Sequence, residues 1–209
     1  MTVVSLKTGE FGSDGAVKVE FSDGTSLLFT PEYLPEGQFP EKDPVLLKID
    51  HELSAPEEEA FRFAAVCYQA ERIALKLVAR AEQNSQGLIS KLERRRYDAV
   101  VAKTVVSHLL SRNLLDDGRY AELWIHSRLT AGNAPTPRWL LASLEKRRID
   151  RTFSRKALMN VLDPETEYAL LLRYLERKVV SEDKKPRLLR AQLKYEGFSF
   201  DVLQRYFND

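Results

Sequence analysis

Several features that mark common protein classes are scarce in this sequence of 209 residues. It has one cysteine, Cys67, which excludes an internal disulfide framework and fits a reducing compartment. No apolar run approaches the roughly 18 residues that a membrane helix needs. The residues after Met1 resemble a strand rather than a signal peptide. We therefore expect a cytoplasmic protein that makes no contact with a membrane.

Catalytic motifs are equally scarce. The three histidines, His51, His108 and His126, share no metal-ligand spacing, and one cysteine cannot form a thiolate site. The sequence contains no glycine-rich phosphate loop, no G-x-S-x-G and no HExxH. It therefore predicts a protein that is not an enzyme and that holds no cofactor and no metal.

Charge is plentiful but unevenly distributed. Residues 1–87 contain 8 Lys or Arg and 15 Asp or Glu, a net charge of −7. Residues 88–209 contain 24 and 16 of these residues, a net charge of +8. The basic part could approach a polyanion such as a nucleic acid.

The first 53 residues predict a small β unit. Residues 17–21 alternate between apolar and polar side chains, as a half-buried strand does. Asp23 and Gly24 predict the turn of a hairpin whose second strand is 26–29. Because a two-stranded hairpin is marginal alone, further strands are expected at 2–7 and 45–49.

From Ser54 to the end of the chain the pattern becomes helical. Ser54 and Glu57 predict a capping box at the start of a long helix that reaches about residue 82. An internal repeat follows: 88–98 (LISKLERRRYD) resembles 140–150 (LLASLEKRRID) and 189–199 (LRAQLKYEGFS). Each copy contains a leucine in a short helix, an apolar residue and an N-cap residue for the next helix. These are Leu92, Tyr97 and Asp98; Leu144, Ile149 and Asp150; and Leu193, Phe198 and Ser199.

A repeat of about 50 residues predicts stacked helical units. We expect a mainly α fold of three tandem three-helix repeats that form an elongated, curved solenoid, with a small N-terminal β hairpin or sheet. The expected divisions are a β unit at 1–53 and repeats at 54–113, 114–162 and 163–209. Solenoids usually bind other macromolecules, which is a first indication of function.

Residues 114–129, LLDDGRYAELWIHSRL, predict the helix that opens the second repeat. Asp116 is placed to cap this helix, and Asp117 adds a negative charge to its first turn. Capping is favoured over metal binding, because an octahedral oxygen site needs further carboxylates. The side chains expected on one apolar face are Tyr120, Leu123, Trp124 and Leu129, with Ala121 as a close-packing position.

This stretch, the basic helix ends and the three tandem units together resemble the RecX family of regulators of the RecA recombinase. The resemblance covers about residues 55–209. It implies a bacterial protein without catalytic activity that lodges in the groove of the RecA–single-stranded DNA filament. There it would modulate, and most simply inhibit, ATP hydrolysis, co-protease activity and strand exchange, and we expect a monomer. The best-matching residues are Leu115, Asp116, Asp117, Arg119, Tyr120, Ala121, Trp124 and Arg128.

Basic clusters at corresponding places in the repeats are the candidate filament-binding or DNA-binding residues. They are Arg94, Arg95 and Arg96; Lys146, Arg147, Arg148 and Arg151; and Lys184, Lys185, Arg187 and Arg190. Their repetition predicts one basic face. The simpler interpretation is that cations favour helix C-termini and solvent. Phosphate contacts would be non-specific and salt-sensitive. Aromatic residues do not interleave with these runs, so base stacking has little support.

The chain departs from the family where the short helices end. Many members have Lys-Gly there, whereas only Glu196-Gly197 keeps the glycine and the first two repeats have an arginine pair. This argues against a left-handed residue at Arg96 and Arg148.

Two alternative functions stay open. One is a stand-alone DNA-binding protein whose short helices mimic a helix-turn-helix, although no short helix has an evident set of base-reading side chains. The other, less favoured, is a metal-dependent nuclease. A regulator requires the filament and a DNA-binding protein does not, so dependence on the filament separates them.

Overall fold

The computed structural model describes residues 2–8, 15–35, 50–132, 134–177 and 186–208. Within these ranges it is mainly helical, with a three-stranded N-terminal sheet, as predicted. No helix in them is long and apolar enough to cross a membrane. The strand predicted at 45–49 lies outside the described residues. The chain divides into two compact units, the first at 1–82 and 88–115 and the second at 83–87 and 116–209.

The sheet of the first unit is antiparallel, in the order β1 (Val3–Thr8), β2 (Val17–Phe21), β3 (Ser26–Phe29). The predicted hairpin is confirmed, but its loop has three residues rather than two, since the Phe21 N–H donates to the Thr25 carbonyl at 2.9 Å. Gly24, with φ of 82°, takes the left-handed position that such a loop requires.

The described residues of this part of the chain also form a 3₁₀ turn (Pro31–Tyr33) and three helices, α1 (Ala55–Arg80), α2 (Ser85–Glu93) and α3 (Ala99–Ser111). The capping box is present, because the Ser54 N–H donates to the Glu57 carboxylate at 2.8 Å. The sheet packs on α1, where the rings of Phe29 and Phe61 meet edge to face at 5.1 Å. Cys67 is fully buried on α1, and burial raises the pKa of its thiol to about 12.

One carboxylate, Glu71, is buried in the first unit. Burial raises its pKa, and His108 of α3 and Arg112, just after that helix, oppose the shift from 3.7 and 3.6 Å. His108 also lies 3.1 Å from Glu32 beside the 3₁₀ turn. This histidine is therefore part of a polar contact between α1, α3 and the β region.

In the part of the chain after residue 115 that the structure describes, six further helices follow: α4 (Asp117–Thr130), α5 (Pro137–Lys146), α6 (Arg151–Val161), α7 (Pro164–Arg177), α8 (Pro186–Tyr195) and α9 (Phe200–Asn208). Along the chain, a longer helix is followed by two shorter ones three times, as predicted. The core of the second unit contains the fully buried Leu140, Leu144, Leu170 and Leu193. The repeat divisions at 54, 114 and 163 stay a prediction.

The buried face of α4 differs from the expected one. Leu123 is 51% exposed, whereas Ala121 and Ile125 are fully buried. Residues 121, 125 and 129 are four apart and form one seam, with Trp124 beside it, so position 123 points away from the core. The prediction was correct for Ala121, Trp124 and Leu129 and wrong for Leu123.

The two aspartates that open α4 cap two different helices. Asp116 accepts hydrogen bonds from the N–H groups of Gly118 and Arg119 at 2.8 and 3.0 Å, as predicted. Asp117 accepts from the N–H and the hydroxyl of Ser85, at 2.7 and 2.6 Å. Ser85 is the first residue of α2, so Asp117 satisfies a free N–H at the start of another helix.

We expect Asp117→Ala to lower the free energy of unfolding by about 1–3 kcal/mol, because the N–H and hydroxyl of the buried Ser85 lose their acceptor. Urea unfolding followed by tryptophan fluorescence measures this, since both tryptophans lie in the second unit. Asp117→Asn keeps one acceptor and should lose less. Glu176→Ala, at an exposed carboxylate of α7, is the control and should change stability by under about 0.5 kcal/mol. An equally small change for Asp117→Ala would contradict the capping role.

Candidate functional site

The segment that repeats three times forms the same helix-to-helix turn each time. An N–H just past the short helix donates to a carbonyl five residues earlier, which is the bond of a Schellman motif. These bonds run from Tyr97 to Leu92, Ile149 to Leu144 and Phe198 to Leu193, at 3.3, 3.2 and 3.3 Å. The next residue caps the following helix, as predicted for Asp98, Asp150 and Ser199.

Each turn contains one left-handed residue, and in two of them it is an arginine. Arg96 has φ of 67° and Arg148 has φ of 59°, whereas Gly197 in the third turn has φ of 92°. The expectation against left-handed arginines was therefore wrong. The Schellman bond sets the backbone at this position whatever the side chain is, and an L residue there costs roughly 1–2 kcal/mol.

The basic residues around these turns fall into two groups. Arg94, Arg95 and Arg147 donate to carbonyls of their own helix ends, at 3.2, 2.9 and 2.9 Å, which is the simpler role considered from the sequence. Arg96, Lys146, Arg148 and Arg151 are exposed, and none of them forms an ion pair among the described residues. The second group is free to contact a partner.

An aromatic cluster adjoins the second turn. The Arg147 guanidinium lies 4.5 Å from the centre of the Trp124 ring, and that of Arg128 lies 5.3 Å from it. The Trp139 ring stacks near Trp124, at 6.0 Å and an interplanar angle of 23°. Trp124 is nearly buried, but Trp139 is 49% exposed. Cations over an indole ring are favourable contacts, so this group is held in place from both α4 and α5.

Sequence reasoning missed this cluster. The basic runs contain no aromatic residue, and Trp124 lies 23 residues before Arg147, in the preceding helix. The sequence did contain one indication. Along α5 and its C-cap, Trp139, Ser143 and Arg147 recur every four residues and so share one face. The Arg147 carbonyl also accepts from the Asn84 side chain at 3.2 Å, and the Asn84 side chain in turn accepts from the Gly87 N–H at 2.7 Å.

The third basic cluster is only partly described. Lys184 and Lys185 lie outside the described residues. Arg187 and Arg190 are exposed on α8, and the Arg190 guanidinium lies 5.8 Å from the ring centres of both Phe200 and Phe207. Arg94, Arg95 and Arg96 belong to the first unit and the other described candidate cations to the second. One continuous basic face stays a prediction. No group of three metal-binding side chains occurs among the described residues.

Comparison with known proteins decides the family. No family model matches the chain. Regulatory protein RecX of Treponema pallidum strain Nichols is 32% identical over 143 residues, which cover 68% of this chain and 86% of that protein. Regulatory protein RecX of Thermobifida fusca is 29% identical, over 73% of this chain and 80% of its own length. This chain belongs to the RecX family. It is therefore related to regulatory proteins and not to enzymes, as expected.

Solved structures agree in fold. A crystal structure of regulatory protein RecX matches 100% of this chain and 99% of its own, with a TM-score of 0.68 and 15% identity. RecX from Lactobacillus salivarius matches 68% of this chain and 95% of its own, with a TM-score of 0.53 and 19% identity. At these identities the likeness concerns the fold alone.

The residues that carry the RecX resemblance are placed mainly for folding. Asp116 and Asp117 cap helices, and Ala121 is fully buried in the core of the second unit. Tyr120 packs against that core, and Arg119 is an exposed residue of the first turn. Trp124 and Arg128 belong to the aromatic cluster beside the second turn.

Replacing the left-handed residues should change stability in opposite directions. Arg148→Gly removes the steric cost at φ of 59° and should raise the free energy of unfolding by about 0.5–1 kcal/mol. Gly197→Ala should lower it by about 2 kcal/mol, because φ is positive and the new Cβ would lie 3.0 Å from the Arg138 nitrogen. Arg155→Gly, at an exposed helical position of α6, is the control and should lower stability by about 1 kcal/mol. Urea unfolding measures all three, and a destabilised Arg148→Gly protein would show that this side chain contributes to folding.

Proposed function

We propose that this RecX-family chain regulates homologous recombination and DNA repair by binding a RecA filament on single-stranded DNA. Binding reduces the filament's ATP hydrolysis, and with it co-protease activity and strand exchange. The protein acts in the bacterial cytoplasm, as a monomer and without a cofactor. The carrying observation is that Arg96 and Arg148 are exposed and left-handed at the same position of two repeats.

The left-handed conformation of these two arginines costs stability. Glycine adopts it at a lower free-energy cost, as Gly197 does in the third turn. A chain selected for stability alone would therefore gain from glycine at both positions. Strained residues are retained at sites where the side chain has a function. Two exposed cations at repeated corners suit a repeating polyanion, such as the phosphates or acidic side chains of a filament.

The aromatic cluster supports contact with the DNA of the filament. Single-stranded nucleic acid binds to cationic surfaces that also offer aromatic faces for its bases. Trp139 is half exposed, and its neighbour Trp124 has two guanidinium groups over its ring. From the sequence, base stacking had little support because no aromatic residue lies within the basic runs. The cluster brings aromatic rings next to Arg128 and Arg147 in space, so the proposal includes stacking of a base.

The decisive experiment measures ATP hydrolysis by the cognate RecA on single-stranded DNA. We expect substoichiometric amounts of this protein to lower the rate. The double variant Lys146→Glu/Arg148→Glu should need at least about tenfold more protein for the same effect, because reversed charges repel the polyanion. Arg147 is left unchanged, since its loss would disturb Trp124.

The matched control is Lys76→Glu/Arg80→Glu, which changes the net charge equally at exposed positions of α1. It should inhibit as the unmodified protein does. Equal weakening by both double variants would mean that net charge and not a defined face matters. An unchanged rate, together with salt-sensitive binding to bare DNA, would favour the stand-alone DNA-binding protein instead.

A further inference from the structure

The second unit contains a groove whose apolar lining is not used by the proposed filament contact at Arg96 and Arg148. It lies between α8 and α9 and has a volume of about 440 Å³. Its buried part is formed by Phe198 and Leu203, each 3% exposed, and Phe200 stands at its edge with 68% of its surface exposed. A large aromatic side chain left in water beside an apolar hollow indicates a surface that a partner covers.

Three cations line the same groove from α8. Arg187, Arg190 and Lys194 recur at intervals of three and four, so they share one face of the helix. The sequence of α8, PRLLRAQLKY, contains no carboxylate. Among the described residues none of the three side chains forms an ion pair. The groove is thus apolar at its base and positively charged along one side.

We propose that this groove binds an acidic peptide segment that carries an aromatic or large aliphatic side chain. The apolar side chain enters the hollow above Phe198 and Leu203 and packs against Phe200. Its flanking carboxylates pair with Arg187, Arg190 and Lys194, where arginine offers two parallel N–H donors to a carboxylate. Anchoring an apolar side chain in a groove and matching its charged flanks are general means of peptide recognition.

The chemistry of the lining favours a peptide over a nucleic acid. None of the residues that line the groove is a serine, threonine, asparagine or glutamine. A base inserted there would bury its edge donors and acceptors without neutral partners, which is costly. An apolar side chain has no such groups. The proposal does not rest on recombinase regulation, because the acidic segment could belong to any partner protein.

Fluorescence anisotropy with the full chain tests the proposal directly. The probe is a fluorescein-labelled peptide, Glu-Asp-Glu-Phe-Asp-Glu, and the comparison peptide has alanine in place of phenylalanine. We expect saturable binding of the probe that weakens with salt, and binding of the alanine peptide that is weaker by at least about tenfold. No saturable binding, or equal binding of the two peptides, would overturn the proposal.

Two exposed substitutions identify the site. Phe200→Ala and Arg187→Glu should each weaken binding of the probe by about fivefold or more. The matched controls are Met159→Ala, at a side chain that is 79% exposed on α6, and Lys156→Glu on the same helix. They should bind as the unmodified protein does. Urea unfolding verifies that each variant is folded.

An oligothymidine supplies the competing outcome. If it binds more tightly than the probe and Phe200→Ala abolishes that binding, the groove is a nucleic-acid site and the peptide proposal is wrong. Because no RecA is present, failure of peptide binding leaves the filament proposal untouched. Conversely, Phe200→Ala should keep full inhibition of the RecA ATPase if the two sites are separate.

Discussion

The second unit depends on the aspartate pair at the start of α4. Asp116 satisfies N–H groups of its own helix, and Asp117 satisfies the start of α2 through Ser85, which lies 32 residues earlier. Removing either carboxylate leaves a helix start without an acceptor, which is costly where water cannot replace it. Glu167 repeats this arrangement when it accepts from the Ser199 N–H at 2.6 Å, again across 32 residues. The aspartate pair, which resembles a metal site in sequence, thus connects the starts of two helices.

Local patterns were enough to predict much of the fold. The turn of the β2–β3 hairpin, the Ser54 capping box and the caps at Asp98 and Asp150 involve residues at most four apart, so the local sequence is enough to predict them. The repeat was visible because each turn needs a buried leucine, an apolar residue and a cap in fixed order. These features also led to the RecX resemblance, which the comparisons support.

Contacts between distant residues were beyond the reach of such patterns. The pairing of Asp117 with Ser85 and the stack of Trp124 with Trp139 depend on how helices pack, and periodicity does not encode this. The left-handed arginines were missed for another reason. Residue preference argued for glycine, but the hydrogen bonds of the turn set the backbone, and tertiary context overrode the local preference. The candidate cations were chosen from the sequence. Which of them donate to carbonyls of their own helix ends, and which do not, was visible only in the structure.

The three repeated turns also bear on how members of such a family can vary in length. In each turn, one left-handed residue and one apolar residue directly precede the residue that caps the next helix. One inserted residue between Arg148 and Asp150 would separate the left-handed position from the cap and move Ile149 out of the core. Insertions and deletions should therefore accumulate in other connections, while these corners keep a constant number of residues. The corners are thus natural reference points for aligning distant relatives, more dependable than the residue types that occupy them.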